Sequence, residues 1–312
     1  MKNREFIKQE LNLKYPLWGY SPKGVTDPCL SLELSKAGAA GLMDLEGLND
    51  EEIRGIIKRF HHELPCETLW GVRLSHEEQL NILYDFSIPL IIIPFFIDEK
   101  TEKKIRKISR FIVSEVFTVE EAEEKSCRSD LFLVKGQEAG GRVGEKSTFI
   151  LLQEFYKSFY PFVIQGGFGL FNISGAMTCG AISVVSDSQL YLFPECPLSE
   201  DMKKYLKSLQ ESDNYLAGET CNYKFRLSGK IASKSIKDIK NLEKEYLSCG
   251  EDRWEKALRD YIKSNKFFND GKDSLIPLGH DLSFKNFCFR FIGRIKGEFN
   301  KKSNRFIPFS ES

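Results

Sequence analysis

The stretch VKGQEAGGRVGEKSTF, residues 134–149, follows an apolar run and contains Gly136, Gly140, Gly141 and Gly144. Each glycine costs more backbone entropy on folding than any other residue, so an ordinary connection between two elements does not need so many. Bare backbone is useful where a chain must turn tightly or pass close to a ligand. The stretch therefore predicts a buried strand that ends at a functional edge of a sheet.

Short apolar or β-branched runs recur along the first two thirds of the chain, each followed by a helical pattern, and this alternation is typical of βαβ units on a parallel sheet. We predict eight strands, in the runs YPLWGY (15–20), AAGLMDL (39–45), TLWGVRL (68–74), IPLIIIPF (88–95), FIVSEVF (111–117), DLFLVKG (130–136), PFVIQGG (161–167) and AISVVSD (181–187). Eight units complete by about residue 187 favour an α/β fold of the (β/α)8 TIM barrel type over an open doubly wound sheet.

Two helix starts fit the S/T-x-x-E capping box, one at Ser75 and one at Thr118. From residue 197 the pattern changes to amphipathic helices, in 197–211 and 251–264, with a candidate linker over 215–240. We therefore predict two parts, a barrel over 1–200 and a mostly helical basic C-terminal extension over 201–312.

Composition indicates a folded protein, with 312 residues, 41% hydrophobic and 29% charged. The longest apolar run, 88–97, is far below the roughly 20 residues that span a bilayer, and the N-terminus lacks an apolar signal region, so we expect a cytoplasmic protein without membrane contact. The eight cysteines form no CxxC pair, so no metal site is predicted.

Charge is distributed unevenly along the chain. From residue 201 onward there are 23 Lys and Arg against 16 Asp and Glu, and before it 22 against 29. The tail is either a basic segment beside an acidic body or a docking face for an acidic carrier protein. No nucleic-acid reading motif accompanies the basic residues, so no nucleic-acid partner is expected.

Two further loops fit a phosphate site. In a (β/α)8 barrel, phosphate commonly binds in the loops after strands seven and eight. QGGFGLFNISG (165–175) leaves predicted strand seven with several glycines, and SDSQL (186–190) leaves predicted strand eight. These loops are interpreted either as tight βα turns or as a phosphate cradle, and the glycine loop of 134–149 would lie on the same face.

The motifs KGQEAGGRVGEKSTFILLQE, PFVIQGGFG and CGAISVVSDSQLYLFPECPL, in this order, resemble the nitronate monooxygenase (2-nitropropane dioxygenase) and FMN-dependent enoyl reductase family. GVTDPCLSLELSKAGAAGLMDL resembles that family's first βα unit. The resemblance covers roughly 15–200 and is greatest to the variant in polyketide and polyunsaturated fatty-acid synthases, where EAGGRVGE, DSQL and PLGHD (277–281) also have counterparts.

This resemblance implies an FMN cofactor, with the phosphate held after strands seven and eight and Lys135 facing the flavin N1/O2 region. A cation there stabilises the negative charge of reduced flavin. The alternatives are a solvent-exposed rim lysine for Lys135 and an ion pair with a rim carboxylate for Arg73. The implied cofactor-binding residues are Arg73, Lys135, Gly140, Gly141, Gln165, Gly166, Gly167, Phe168, Ser188 and Gln189.

Arg142 stands where most of the family has a catalytic histidine. Arginine stays protonated, so it cannot abstract a proton, although it can anchor a carboxylate, a thioester carbonyl or a phosphate. His76 and Glu138 are the substitute candidates for acid–base catalysis, with solvent exposure and ordering of the glycine loop as their respective alternatives. Asp187 stands where the family commonly has glycine, and because a carboxylate beside a phosphate is unfavourable, it must either point away or bind something else.

Three functions remain open. The first is an FMN-dependent oxidoreductase of the nitronate monooxygenase or enoyl reductase type, with NAD(P)H as candidate electron donor and a small or carrier-bound acyl substrate. An acyl carrier protein or a synthase is then the candidate partner. The second is a catalytically impaired flavin barrel that serves as a docking module of a synthase. The third is a phosphate-sugar or nucleotide enzyme on the same fold.

Overall fold

The computed structural model describes residues 3–169, 172–186, 188–221, 223–230, 233–246, 251–264 and 276–280. It contains eleven strands: β1 (Leu17–Tyr20), β2 (Ala40–Asp44), β3 (Trp70–Arg73), β4 (Ile88–Ile93), β5 (Ser109–Val116), β6 (Leu131–Lys135), β7 (Gly141–Val143), β8 (Phe162–Gln165), β9 (Ser183–Ser186), β10 (Asn214–Ala217) and β11 (Lys224–Ser228).

Eight of these strands form a closed parallel barrel in the order β1-β2-β3-β4-β5-β6-β8-β9. Closure comes from β1 pairing with β9, with Leu17 opposite Val184 and Trp18 opposite Val185. Seven of the eight barrel strands lie within their predicted runs, and β5 overlaps its run but begins two residues earlier, at Ser109. The TIM-barrel prediction is therefore confirmed, and the eight carboxyl ends lie on one rim of the barrel.

Helices follow the barrel strands, as βαβ units require. Including one helix before β1 and two after β11, the helices of the described residues are α1 (Arg4–Leu11), α2 (Cys29–Ala37), α3 (Asp50–Glu63), α4 (Leu80–Leu83), α5 (Glu99–Ile105), α6 (Val119–Lys125), α7 (Thr148–Ser158), α8 (Ile173–Thr178), α9 (Glu200–Ser208), α10 (Lys234–Tyr246) and α11 (Glu251–Ser264). No helix in the described ranges is long and apolar enough to cross a membrane.

Strand sequence explains the packing, because alternate side chains point into and out of the barrel. The inward set packs together into a buried core below the rim, as is typical of this fold. Buried members of this inner cluster are Trp18, Leu42, Leu90, Ile92, Phe111, Val113, Leu131, Leu133 and Val163.

The predicted capping boxes have different outcomes. Thr118 accepts a hydrogen bond from the Glu121 amide at 3.2 Å and starts α6, as predicted. The capping box predicted at Ser75 does not form. A 3₁₀ turn begins after His76 instead, because the Gln79 side chain accepts from the Ser75 amide at 2.9 Å and donates to the Leu45 carbonyl.

The tail contains strands as well as the predicted helices. β10 and β11 pair antiparallel, and β11 also pairs with β7, so the order of this second sheet is β10-β11-β7. The region 215–240, interpreted as a linker, contains β10, β11 and the start of α10. Because β7 belongs to the glycine stretch after β6, the tail is fastened to the rim of the barrel.

Candidate active site

A cavity of about 390 Å³ opens at the carboxyl rim of the barrel. Strand ends line its floor, among them Tyr20, Asp44, Arg73, Lys135 and Gln165. The tail supplies the other wall, with Tyr223, Phe225, Arg259, Ile262 and Pro277. The cavity therefore lies at the end of the barrel where enzymes of this fold place their chemistry.

Buried ion pairs cross the floor of this cavity. Arg73 lies 2.9 Å from the Glu115 carboxylate and 3.3 Å from that of Asp44. Lys135 shares Glu115, with its Nζ 3.0 Å from the second carboxylate oxygen. Only 6% of the Lys135 side chain is exposed, so it is not a solvent-exposed rim lysine. Arg73 both lines the cavity and forms the ion pair that the sequence left as its alternative.

A second group of charges continues the network toward the loop after β2. Lys23 lies 3.2 Å from Asp44 and 2.6 Å from Glu46, and both of these carboxylates line the cavity. Burial alone raises the pKa of Glu46, but the charges of Lys23 and Arg73 outweigh it and hold the value at about 2. Glu46 is therefore ionised at neutral pH.

Neighbouring charges of opposite sign also shift the pKa values of Glu115 and Lys135 at the centre of the floor. Burial raises the pKa of Glu115, but the Arg73 and Lys135 charges dominate and hold it far below its usual range. Burial lowers the pKa of Lys135, against the opposing pull of Glu115. The Glu115 carboxylate is thus ionised and paired with two cations. Removing it would destabilise the fold, because both buried cations would lose their partner.

Arg142 projects from β7 into the cavity, where ring contacts hold its guanidinium. The guanidinium carbon lies 5.0 Å from the centre of the Phe117 ring and 5.1 Å from that of Tyr223. Both distances are within the range of cation–π contacts. Arg142 is therefore fixed by one barrel residue and one tail residue.

The glycine loop after β6 is ordered by its own glutamate. The Glu138 carboxylate accepts hydrogen bonds from the Thr148 amide at 2.8 Å and the Thr148 hydroxyl at 2.5 Å. These bonds join the loop to the start of α7, so Glu138 has the ordering role that the sequence offered as the alternative to a base. Gly140 packs against the tail, because a Cβ built there would lie 2.2 Å from the Pro277 carbonyl oxygen.

The loop after β8 lies beside this glycine loop. Gly166 and Gly167 have φ values of +124° and +68°, which favour glycine. A Cβ at Gly166 would lie 2.9 Å from the Ala139 nitrogen. The Gln189 side chain donates to the Phe168 carbonyl at 3.0 Å and so joins the loop after β9 to the loop after β8. The three loops therefore meet on one rim.

The predicted site residues divide into two sets. Those that line the cavity are Arg73, His76, Lys135, Gly140, Arg142 and Gln165. Those that lie on the same rim outside the cavity lining are Glu138, Gly141, Gly166, Gly167, Phe168, Ser188 and Gln189. Asp187 and Asp281 lie outside the described residues. The functional roles assigned to both sets stay predictions.

His76 is the one histidine that lines the cavity within the described part of the chain. Its side chain is 47% exposed, and its Nδ1 lies 2.9 Å from a Glu78 carboxylate oxygen. His61 lies at the other end of the barrel, where its ring stands edge-on to Trp70. His280 contacts the rim through its backbone, donating to the Glu138 carbonyl at 2.9 Å.

Several cavity residues were not predicted from the sequence. They are Lys23, Asp44, Glu46, Glu115, Tyr223 and Arg259. Glu115 had a readable signal, since a carboxylate inside the apolar run FIVSEVF must find a partner when it is buried. Tyr223 and Arg259 had none, because only the fold brings the tail to the barrel rim.

The rim fits FMN in two respects. No described residue accepts a hydrogen bond from the amides of Gly166, Gly167 and Phe168, so these donors are available for a phosphate. Lys135 and Arg73 also place cationic groups on the floor, where the three cations Lys23, Arg73 and Lys135 are paired with the three carboxylates Asp44, Glu46 and Glu115. The donor set therefore suits an anionic cofactor with a planar ring.

No protein-family model matches the sequence, and no curated protein matches it either. Several solved structures match 88% to 98% of its length. The class they define is a barrel with a C-terminal extension of the kind described above, and the resemblance inferred from the motifs is confirmed at the level of the fold.

Three solved structures illustrate this similarity. FabK from Thermotoga maritima has a TM-score of 0.77 at 15% identity, covering 98% of this chain and 100% of that one. The enoyl reductase domain of MlnA, from the macrolactin biosynthesis cluster of Bacillus amyloliquefaciens, has a TM-score of 0.73 at 13% identity, with 98% and 100% covered. Nitroalkane oxidase from Streptomyces ansochromogenes has a TM-score of 0.68 at 16% identity, with 88% and 92% covered.

Proposed function

We propose that this protein is an FMN-dependent oxidoreductase of the enoyl reductase type, which reduces the carbon–carbon double bond of enoyl thioesters and is linked to polyketide or fatty-acid synthesis. The observation that carries the proposal is the cavity at the barrel rim, closed by the tail and floored by Lys135 and Arg73. The similarity to the MlnA enoyl reductase domain spans barrel and tail together, which supports the same interpretation. An acyl carrier protein or synthase partner and a cytoplasmic location belong to this proposal.

In this proposal, each residue's position at the cavity sets its role in binding the cofactor or the substrate. The bare amides of Gly166 and Gly167, with Ser188, would hold the FMN phosphate, and Lys135 would place its charge at the flavin ring. When bound, FMN supplies hydride transfer. Arg142 stays protonated, so it orients or polarises a substrate oxygen and moves no proton. His76, which lines the cavity and reaches solvent, is the candidate to exchange one.

An absorption spectrum of the purified protein is the first test, because bound flavin absorbs between roughly 350 and 500 nm. Anaerobic stopped-flow mixing is the second. We expect NADPH to bleach the flavin and an enoyl thioester such as crotonyl-coenzyme A to restore its colour. Bleaching by a nitronate alone would instead support a nitronate monooxygenase, and a colourless protein would contradict the flavin proposal.

One observation favours a second candidate, the catalytically impaired docking module. Lys135 is already paired with Glu115, so its charge is less available to a reduced flavin, and Arg142 cannot act as a base. A flavin-loaded protein that neither NADPH nor a nitronate bleaches would support this candidate. Steady turnover of any enoyl thioester would eliminate it.

A further inference from the structure

The outer side of α7 exposes large apolar side chains. Phe149, Tyr156 and Phe159 are 70%, 57% and 80% exposed, and Ile150 is 44% exposed. Together with Gln153, which is also exposed, these residues are called the α7 face. An aromatic side chain offers about 150 to 250 Å², so the three rings alone expose on the order of 400 Å². Apolar patches of this size on a folded protein commonly mark an interaction site.

The backbone at Phe159 supports the same conclusion. α7 ends there in a left-handed conformation, with φ +59°. Glycine or asparagine commonly occupies this position, as Gly38 does after α2 and Asn12 after α1, because a larger side chain crowds the backbone. Phe159 is thus a strained residue with an exposed ring. Strain of this kind concentrates at functional sites, so we interpret Phe159 as an anchor for a partner.

The pattern of the α7 face matches itself under a two-fold rotation. Phe149, Gln153 and Tyr156 are four and three residues apart, so they form one line along the helix. The polar Gln153 lies at the middle of this line, with an aromatic ring at each end. A two-fold axis through Gln153 would turn the line onto itself and place Phe149 against Tyr156 of a second copy. A two-fold interface requires one patch to match itself in this way.

The charges around the α7 face match in the same arrangement. Glu145 is 66% exposed just before α7, although it pairs with Lys224. Glu120 is exposed on α6 and lies close enough to Lys146 for their charges to interact. Lys157 is exposed in the last turn of α7. The rotation sets the two copies of α7 antiparallel, so each Lys157 lies toward the acidic end of the other copy, and the helix dipoles also oppose each other favourably.

We propose that the α7 face is a two-fold interface between two copies of this chain. A standard interface covers about 800 Å² on each partner, of which about 57% is apolar. That is roughly 450 Å² of apolar surface on each copy, and the three rings with Ile150 supply about this amount. The described lining of the rim cavity includes none of the five residues, so this inference does not depend on the proposed function.

A second copy on the α7 face would also hold the glycine loop. Thr148, the first residue of α7, donates hydrogen bonds from its amide and its hydroxyl to the Glu138 carboxylate. Phe149 and Ile150 follow Thr148 directly, so an interface on them covers the helix end that orders this loop. The loop beside the cavity is therefore connected to the proposed interface.

The first experiment measures the association of the full-length protein by sedimentation equilibrium. We expect a dimer with a dissociation constant below about 0.1 mM. The melting temperature should also rise with protein concentration, because association stabilises only the folded chain. A protein that stays monomeric throughout this range would overturn the proposal and leave the α7 face to another occupant.

Phe159→Gly tests the anchor without straining the fold, since glycine readily adopts φ +59°. We expect this variant to weaken dimerisation at least about tenfold, because an anchoring ring is lost. The melting temperature of the dilute monomer should not fall. Tyr84→Ala is the control, because Tyr84 is 41% exposed at the end of α4, elsewhere on the barrel. A dimer that withstands Phe159→Gly, or that both variants weaken equally, contradicts the proposal.

Substitutions at Gln153 identify what occupies the face. A charge on a two-fold axis meets the same charge of the second copy, so we expect Gln153→Glu and Gln153→Lys each to weaken dimerisation at least about tenfold. Gln153→Ala introduces no charge and should leave the dimer intact. If one charge weakens association and the other strengthens it, the surface opposite Gln153 carries a fixed charge, and the two-fold arrangement is overturned.

Discussion

Arg142 is the residue whose chemistry differs most from that of the family that the motifs resemble. Replacing it with histidine would supply a group that exchanges protons near neutral pH. We expect Arg142→His to give the flavin reoxidation rate a pH dependence with an apparent pKa of roughly 6 to 7. The measurement is reoxidation by crotonyl-coenzyme A across pH 5.5 to 8, a range of about 2.5 units around the reference histidine value.

The double variant Arg142→His with His76→Gln identifies the group that titrates. If the new pH dependence belongs to residue 142, it survives this second substitution. A profile that disappears with His76 would assign the proton to the exposed histidine instead, and would contradict the expectation for position 142.

Glu115 is the most heavily used carboxylate of the floor, since it pairs with both Arg73 and Lys135. We expect Glu115→Gln to lower the free energy of unfolding by about 3 to 5 kcal/mol, because two buried cations lose their partner. Urea denaturation measures the change. Glu10→Gln is the control, since Glu10 pairs with Arg110 at the surface and such pairs contribute about 1 kcal/mol or less. Equal effects of the two variants would rule out the buried network as a source of stability.

Glu46 makes the free energy of unfolding depend on pH in the acid range. Its pKa is about 2 in the folded protein, against an ordinary value of 4.5 for a glutamate. Its ion pair therefore stabilises the protein above about pH 4.5 and is lost as the pH falls toward 2. Protonation removes about 3 kcal/mol, since one pKa unit corresponds to about 1.4 kcal/mol. We expect Glu46→Gln to flatten the dependence of unfolding free energy on pH between 5 and 2, and an unchanged slope would refute this.

At the scale of elements, the contact between the glycine loop and the tail depends on close backbone approach. A Cβ at Gly140 would overlap the Pro277 carbonyl, whereas a Cβ at Gly55 in α3 has nothing within 4 Å. We expect Gly140→Ala to destabilise the protein by more than about 2 kcal/mol and to weaken flavin binding. Gly55→Ala should stabilise it by up to about 1 kcal/mol. Thermal unfolding followed by circular dichroism, with flavin absorbance, distinguishes these outcomes, and two variants with the same stability would contradict the close contact.

The barrel elements were predictable because each strand is a short apolar run bounded by polar residues. The second sheet was not. β7 is the three-residue segment Gly141–Val143, too short to show alternation, and its partner β11 lies about 80 residues away in the chain. Ser75 shows the related limit for helix starts, since a capping motif cannot reveal that Gln79 will take its amide.

The candidate site was predictable only on its barrel side. Lys135, Arg142 and Gly140 lie in or beside the quoted glycine stretch, and all three line the cavity. Tyr223 and Arg259 complete the mouth, but they come from a tail whose pattern indicates only helices and charge. A site built between two distant segments leaves no local signal in either, so its second half required the structure.

At the scale of the whole molecule, a ligand that binds only the folded protein raises its stability by mass action. The cavity lies between barrel and tail, and the residues proposed to hold the phosphate lie on the same rim, so FMN should raise the melting temperature of flavin-depleted protein in proportion to its affinity. Riboflavin lacks the phosphate and should raise it much less at equal concentration. Gly167→Ala, which places a side chain at φ +68°, should reduce the FMN effect toward that of riboflavin. Equal shifts from FMN and riboflavin in the unaltered protein would show that the amides of this rim hold no phosphate.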